Sequence, residues 1–339
     1  MAVCFSFTAS RDMCFRYSFS SAGLKSTATD LGEGTVMHCW GPKSHKPGKP
    51  TLLLIHGIGA NAMWQWNDFV SPLSSKFNVY VRDLLFFGES YTSRTDRSDS
   101  FQAQCVMRMM EALGVGRMRV VGLSYGGFVA YSMAAQFPDA VERVVICCAG
   151  VCSEEKDLEE GLFRVKSVDE AISILLAQTP DKLRELMKLS FYKPINYVPS
   201  CFLSDFIQNF GFEIGSIFQF IDSSWLSALL WDTSSWVGGT VPAPVMCTEN
   251  LQERKELIYA LHKDRKLSDL PKIMQPTLII WGEHDQIFPL ELAHRLKRHL
   301  EHNSQLVILK NAGHAINMEK PKELYSHIVI LECPASSSG

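Results

Sequence analysis

One short segment of the sequence carries the residue types that nucleophilic catalysis requires. Ser124 lies in the pattern G-L-S-Y-G at residues 122–126, which an apolar run at 118–123 precedes and a run of helical pattern follows. A strand that turns sharply into a helix at a serine exposes its hydroxyl at the end of the sheet, and small residues such as Gly122 and Gly126 let strand and helix approach closely. The pattern predicts that Ser124 is a nucleophile; the alternative is a glycine-rich turn without chemistry.

A serine hydroxyl is a poor nucleophile until a base removes its proton. Among the ten histidines, His314 is the best candidate, because the segment N-A-G-H-A follows the apolar run SQLVILK (304–310) through a short loop. Loops at the carboxyl ends of parallel strands are where catalytic side chains gather. The pattern therefore predicts that His314 is the base rather than a structural loop histidine.

A third residue must hold the imidazole in one tautomer and stabilise its cation. Two acids, Glu283 and Asp285, follow the apolar run PTLIIW on one loop. From the residues alone, either of them is a candidate.

Chemistry at a carbonyl also needs donors for the developing oxyanion. The segment H-G-I-G at 56–59 follows the apolar run TLLLI, and a glycine-flanked turn can direct a backbone N–H into a site. We predict that the N–H groups of Ile58 and Tyr125 form this oxyanion hole. His56 and Gly57 are interpreted as supports of the loop, with no role for His56 as a base.

The remaining pattern indicates how these segments are held. A hairpin is predicted at 24–40, and buried strands are predicted at 51–57, 77–84, 118–123, 141–150, 276–282 and 304–310, with a helix near 289–301. Strands that alternate with helices are typical of an α/β fold with a mostly parallel central sheet and flanking helices.

The strand pattern is interrupted after residue 150 by charged, helical sequence. Thr179-Pro180 is typical of a helix start, and 249–265 is an amphipathic helix pattern. We therefore divide the chain into an N-terminal extension (1–23), the first half of a core (24–152), a helical cap (153–270), the second half of the core (271–330) and a loose tail (331–339).

Composition excludes several classes of protein. In 339 residues, 33 basic and 36 acidic side chains leave a net charge of −3 without a long basic run, which argues against nucleic-acid binding. The ten cysteines form no C-x-x-C pair, so a zinc site and a disulfide scaffold are not expected, and a reducing, cytoplasmic compartment is favoured.

Residues 1–29 are interpreted as an extension packed on the domain; a transit peptide and an interfacial membrane segment are the alternatives.

Together, the segments HGIG, GLSYGG, WGEHD and NAGHAINMEKP resemble the α/β-hydrolase superfamily with a helical cap. The chain is similar to a set of plant serine hydrolases, and also to monoacylglycerol-lipase-like and meta-cleavage-product-hydrolase-like enzymes. The resemblance covers 24–207 and 245–328, and its chain order is Ser…Asp…His.

The resemblance implies an α/β-hydrolase fold and a catalytic triad of Ser124, Asp285 and His314, and it favours Asp285 over Glu283. It supports Ile58 and Tyr125 as the oxyanion hole. A serine at position 124 disfavours the dehalogenase and epoxide-hydrolase relatives, which use a carboxylate there.

One stretch, 208–244, departs from the pattern. It holds three of the seven tryptophans and no Lys or Arg. We weigh two interpretations: an apolar lid that touches lipid, or sequence from an alternative splice form or a gene-model error, which we favour.

The expected function is hydrolysis of a small-molecule ester with an apolar or lipid-like group, without metal or organic cofactor. Two alternatives stay open: hydrolysis of a carbon–carbon bond in a vinylogous diketone, and a ligand receptor that does not turn over. Peripheral membrane contact is expected only through the N-terminus or 208–244.

Overall fold

The computed structural model describes residues 7–59, 61–194, 198–209 and 250–332. Within these residues the strands are β1 (Leu24–Gly32), β2 (Thr35–Pro42), β3 (Thr51–Ile55), β4 (Asn78–Arg82), β5 (Tyr91–Thr92), β6 (Met118–Leu123), β7 (Val141–Cys147), β8 (Thr277–Gly282) and β9 (Ser304–Leu309). They form one sheet in the order β1-β2-β4-β3-β6-β7-β8-β9, with β5 paired to β2.

The sheet is antiparallel at one edge and parallel elsewhere. β2 pairs in antiparallel fashion with β1, β4 and β5, whereas every pair from β4–β3 to β8–β9 is parallel. β3, β4 and β6 are buried along their whole length, as expected of parallel strands covered on both faces. The predicted α/β class with a mostly parallel central sheet is confirmed.

Helices connect and cover the strands. They are α1 (Phe7–Ser21), α2 (Ala62–Ser74), α3 (Asp99–Ala112), α4 (Tyr125–Gln136), α5 (Lys156–Glu159), α6 (Val168–Leu175), α7 (Pro180–Ser190), α8 (Ser200–Asn209), α9 (Leu251–His262), α10 (Leu290–Leu300), α11 (Ile316–Glu319) and α12 (Pro321–Val329). α4 packs on β6 and β7, α2 on β3 and β4, and α10 on β8 and β9.

The helix start and the turn that the sequence predicts are found at the predicted residues. Thr179 caps α7 by accepting a hydrogen bond from the backbone N–H of Lys182, and Pro180 begins that helix. In the turn of the predicted hairpin, Gly32, Glu33 and Gly34 all have positive φ values, of 76°, 53° and 68°.

The helices α5 to α9 lie between β7 and β8 in the chain, the interval predicted to form a cap. This segment is tied to the core by Arg295 of α10, whose guanidinium contacts the buried Asp157 carboxylate at 2.7 and 3.0 Å. Almost all of the predicted insertion at 208–244, and all of the tail beyond residue 332, lie outside the described residues.

The N-terminal segment forms a helix that the sequence patterns did not indicate. In α1, Phe15 packs edge-on against Trp64 at 4.8 Å between ring centroids, and the fully buried Phe19 contacts Trp40 at 5.4 Å. α1 therefore adds aromatic side chains to the core. Across the described residues, no helix combines the length and the apolar character needed to span a bilayer.

Candidate active site

Ser124 lies at the junction of β6 and α4, in a backbone conformation that non-glycine residues rarely adopt. Its φ is 54° and its ψ is −123°. The neighbouring glycines are required by packing: a Cβ atom at Gly122 would lie 2.1 Å from the carbonyl oxygen of Gly126, and one at Gly126 would lie 2.4 Å from that of Ile55. Strain held by tight packing is common where a side chain must be presented for chemistry.

The structure brings His314 and Asp285 to this serine. His314 Nε2 lies 2.9 Å from Ser124 Oγ, and His314 Nδ1 lies 2.8 Å from Asp285 Oδ2. A buried carboxylate beside Nδ1 favours the tautomer with its proton on Nδ1, which leaves Nε2 free to accept the serine proton. We refer to Ser124, His314 and Asp285 as the site triad.

The Asp285 carboxylate is fixed by the loop that carries it. Its Oδ1 accepts hydrogen bonds from the backbone N–H groups of Ile287 and Phe288, both at 2.9 Å, and its side chain has no exposed surface. These bonds compensate for the removal of the carboxylate from water. The acid thus faces the imidazole in one orientation.

Glu283, the rival acid, does not reach His314. Its Oε2 accepts a hydrogen bond from the backbone N–H of Asn311 at 3.2 Å and lies 3.5 Å from His284 Nε2. The side chain is exposed. Glu283 therefore joins the two loops at the end of the sheet.

The loop of His314 is held by contacts that sequence reasoning missed. The backbone N–H of Gly313 donates to Glu319 Oε2 at 2.6 Å, and the other oxygen of Glu319 accepts from the N–H of Tyr192 at 3.0 Å. Ala315 N donates to the carbonyl of Ser190 at the end of α7. Glu319 lies five residues after His314 in the segment NAGHAINME, which is the signal that could have found it.

The predicted oxyanion-hole residues lie beside the serine. A Cβ atom at Gly57 would be 3.0 Å from Ser124 Cβ, so the 56–59 loop packs directly on it. Ile58, Ser124 and Tyr125 line one cavity. Tyr125 is the first residue of α4, where backbone N–H groups have no partner within the helix and the helix dipole favours negative charge.

His56 braces this loop. Its Nδ1 lies 2.7 Å from the carbonyl of Gly57, and its Nε2 accepts from the N–H of Leu84 at 2.9 Å. Burial lowers its pKa to about 4, so the ring is neutral near pH 7. Gln65 Oε1 accepts from the N–H of Gly57 at 2.6 Å and fixes the turn from the other side.

The cavity above Ser124 is mainly apolar. Its walls come from the core and from the helical segment between β7 and β8, and they include Phe128, Leu158, Phe163, Ile174, Leu189 and Phe288. Arg164 and His262 add basic groups to the lining. The cavity has the character of a site for a hydrophobic small molecule with a few polar groups.

Within the described residues, one cluster has the ligand types of a metal site: Cys148, Asp285 and His314, whose ligand atoms lie within 4.8 Å of one another. Burial raises the pKa of the Cys148 thiol well above its usual value, so it offers no thiolate near pH 7. The nitrogen and oxygen atoms are already paired with each other and with Ser124. The donor set therefore suits the site triad better than a metal.

Comparison with known proteins identifies the family to which this fold belongs. Residues 50–321 match the sequence profile of a family described as "alpha/beta hydrolase fold". Mouse monoacylglycerol lipase ABHD6 is 26% identical over 292 residues, which cover 84% of this chain and 76% of that protein. The uncharacterized hydrolase YugF of Bacillus subtilis is 25% identical and covers 83% of this chain and 89% of its own length.

Solved structures share the fold. A putative lipase from Acinetobacter baumannii AYE superposes with a TM-score of 0.71 at 24% identity, covering 98% of this chain and 97% of that one. A 2-hydroxy-6-oxo-6-phenylhexa-2,4-dienoate hydrolase from Rhodococcus sp. strain RHA1 gives a TM-score of 0.63 at 18% identity, covering 91% and 98%. With the family match over most of its length, this chain belongs to the α/β-hydrolase family.

Proposed function

We propose that the protein is a serine hydrolase that cleaves carboxylic esters, with Ser124 as nucleophile, His314 as general base and acid, and Asp285 as the group that orients the imidazole. The observation that carries the proposal is the unbroken hydrogen-bond chain from Asp285 through His314 to Ser124. It ends at a serine held in a strained turn inside an apolar cavity.

In the first half of the reaction, His314 Nε2 accepts the proton of Ser124 Oγ as the oxygen attacks the ester carbonyl carbon. The carbonyl oxygen becomes an oxyanion, for which we assign the N–H groups of Ile58 and Tyr125 as donors. Preorganised donors of this kind are worth about 10²–10³ in rate each. His314 then gives its proton to the departing alcohol, and the acyl group stays on Ser124.

In the second half, water replaces the alcohol. His314 takes a proton from the water, the hydroxide adds to the acyl carbon, and the second oxyanion collapses to the free acid as Ser124 recovers its proton. The buried Asp285 carboxylate stabilises the imidazolium in both halves without becoming protonated.

The cavity supports an apolar acyl group or an apolar alcohol as the part of the substrate that binds. Its lining is dominated by aliphatic and aromatic side chains from α5, α6, α7 and α9. The likeness to monoacylglycerol lipase ABHD6 supports the same choice, so we propose monoacylglycerols and related esters with an apolar acyl group as substrates.

A fluorophosphonate probe tests the nucleophile directly, because it phosphonylates an activated serine. We expect labelling of the wild-type chain at Ser124, identified by peptide mass spectrometry, and none in Ser124→Ala. Ser132→Ala is the matched control: Ser132 lies on α4, where its hydroxyl accepts a hydrogen bond from Gln136, so labelling should persist.

The substrate class is tested with the same protein. We expect turnover of p-nitrophenyl esters and of monoacylglycerols, and none of a dienoate ring-fission product. Labelling only at another residue, or efficient cleavage of the dienoate without ester hydrolysis, would contradict the proposal.

A further inference from the structure

The residue after β7 lies against the acid of the site triad. The backbone N–H of Cys148 donates to the carbonyl of Ile280 in β8 at 3.0 Å, so β7 and β8 stay joined one residue beyond the end of β7. Its Sγ lies within 4.8 Å of a carboxylate oxygen of Asp285 and of a ring nitrogen of His314. The side chain is fully buried.

Cys148 adopts a backbone conformation that few non-glycine residues accept. Its φ is 46°, in the left-handed region, while its backbone N–H is bound to the carbonyl of Ile280. A strained residue that lies beside a reacting group is a reason to look for a role of its side chain.

The thiol keeps its proton. Burial raises the pKa of Cys148 well above the usual value, and the charge of the nearby Asp285 carboxylate raises it further. The S–H group is therefore available as a weak donor, and a carboxylate is its natural acceptor.

We propose that the Cys148 thiol donates a hydrogen bond to the Asp285 carboxylate and so acts as a positioning residue for the acid. Asp285 Oδ1 already has two backbone donors and Oδ2 faces His314 Nδ1. An ionised carboxylate has about four acceptor positions, so one more donor is accommodated. The hydrogen bond from the thiol limits the orientations of the carboxylate and partly neutralises its negative charge.

This inference rests on the proposed function. Loss of the thiol would leave more negative charge on the carboxylate oxygens that face the imidazole and thereby favour the imidazolium. Asp285 and Cys148 are the titratable groups that these contacts place against His314. We therefore expect the acidic limb of the kcat/KM profile to move to higher pH when the donor is removed.

Three variants separate positioning from packing. Cys148→Ala should lower kcat about 2- to 10-fold, the worth of one ordinary hydrogen bond, with KM unchanged and the acidic limb shifted upward. Cys148→Ser keeps a donor and should restore both values toward wild type. Cys147→Ala is the control, because the Cys147 thiol is equally buried and burial is the only cause that raises its pKa.

The measurements are pH profiles on a p-nitrophenyl ester, with thermal unfolding as the check on folding. The inference would be overturned if Cys148→Ala kept the wild-type kcat and the wild-type position of the acidic limb of the pH profile. It would also be overturned if Cys148→Ser were as impaired as Cys148→Ala. Fluorophosphonate labelling of Ser124 is run on every variant. If Ser124 is not labelled in the wild type, the proposed function itself has failed.

Discussion

The site triad has a counterpart at the antiparallel edge of the sheet. There Ser26 Oγ lies 2.7 Å from His38 Nε2, and His38 Nδ1 lies 2.8 Å from Asp83 Oδ2. We call Ser26, His38 and Asp83 the edge triad. Both triads have the same three residue types and nearly the same distances, so spacing between side chains alone does not separate a reactive serine from a structural one.

The two serines differ in their backbones. Ser124 lies in a strained turn with a φ of 54° and lines the apolar cavity. Ser26 lies within β1, in regular antiparallel pairing opposite Trp40, and is exposed. Ser26 lies in the interior of a strand, not at a junction of strand and helix, and it is not among the residues that line the cavity at Ser124.

The surroundings of the edge triad favour the protonated form of its histidine. Burial alone would lower the pKa of His38, but the hydrogen bond to Asp83 and its charge outweigh burial and raise the pKa above its usual value. When His38 is protonated, it donates from Nε2 to Ser26 Oγ and cannot take the proton of that serine. In that state the edge triad is an ion pair, His38 with Asp83, with a serine as an additional acceptor.

Asp83 has a structural task of its own. Its Oδ1 accepts from the N–H of Ala62 at the start of α2, and a Cβ atom at Gly88 would lie 2.2 Å from its other oxygen. The edge triad thus connects β1, β2 and the residue after β4 to α2, the helix that follows the 56–59 loop. The comparison supports our proposal that the site triad does chemistry, whereas the edge triad holds a loop in place.

The largest expected difference is in the two serine-to-alanine variants. Ser124→Ala should reduce kcat on a p-nitrophenyl ester by on the order of 10⁶-fold, as loss of the nucleophile does in a serine protease, whereas Ser26→Ala should keep wild-type kcat. Steady-state kinetics on both proteins makes the comparison. A Ser26→Ala variant that loses activity as completely as Ser124→Ala would remove the distinction between the triads.

The next largest expected difference is between the kcat values of variants of the two acidic residues, Asp285 and Glu283. Asp285→Asn should leave the protein folded and lower kcat by about 10⁴-fold, because an amide in place of the carboxylate favours the wrong imidazole tautomer. Glu283→Gln is the matched control on the same loop and should keep activity, since Glu283 contacts Asn311 and His284. Equal losses in the two variants would mean that His314 is oriented by something else.

In the edge triad, the corresponding change should act on stability. Asp83→Ala leaves His38 and the N–H of Ala62 without their buried acceptor, and breaking a buried ion pair costs about 3–5 kcal/mol in the free energy of unfolding. Urea unfolding followed by tryptophan fluorescence measures the loss. A variant with wild-type stability would show that the pair contributes nothing to folding.

The sequence predicted most of what surrounds the site triad. Apolar runs and glycines placed β3, β6, β7, β8 and β9 within a few residues, and a parallel sheet brings the ends of such strands to one edge. The choice between Glu283 and Asp285 needed the resemblance or the structure. Both residues are carboxylic acids on the same loop, and the sequence does not show which of the two side chains points toward His314.

The edge triad and α1 could not be predicted in the same way. Ser26 and His38 lie in β1 and β2, and Asp83 follows β4; the register of these three strands sets their contacts, and no local pattern marks that pairing. The position of the Arg82 side chain was also not predictable. Its strand was predicted to be buried, but the sequence did not indicate that a charged guanidinium would be fully buried there, with its Nη2 near Met37 Sδ and the carbonyl oxygen of Asp83.

The pH dependence of stability should carry the signature of His38. Because the pKa of His38 is raised in the folded protein, its contribution is fully present below the unfolded value of about 6.5 and is lost as pH rises through the folded pKa. Each unit of elevation corresponds to about 1.4 kcal/mol. Unfolding free energies measured from pH 6 to 9 should fall less steeply in His38→Gln than in wild type, and equal slopes would contradict the ion pair.

The smallest effect should come from Ser26. Its hydroxyl makes one hydrogen bond with the His38 imidazole, which Asp83 already holds, and Ser26 itself is exposed, so Ser26→Ala should cost at most about 1 kcal/mol in unfolding free energy. Thr27→Ala, at the next position of β1, is the control for a hydroxyl removed from the same strand. We also expect a fluorophosphonate probe to label Ser26→Ala as strongly as it labels the wild type. That result would mean that the hydrogen-bond geometry shared by the two triads has no catalytic consequence at the edge triad. The strained turn and the cavity at Ser124 would then account for the difference between the two serines.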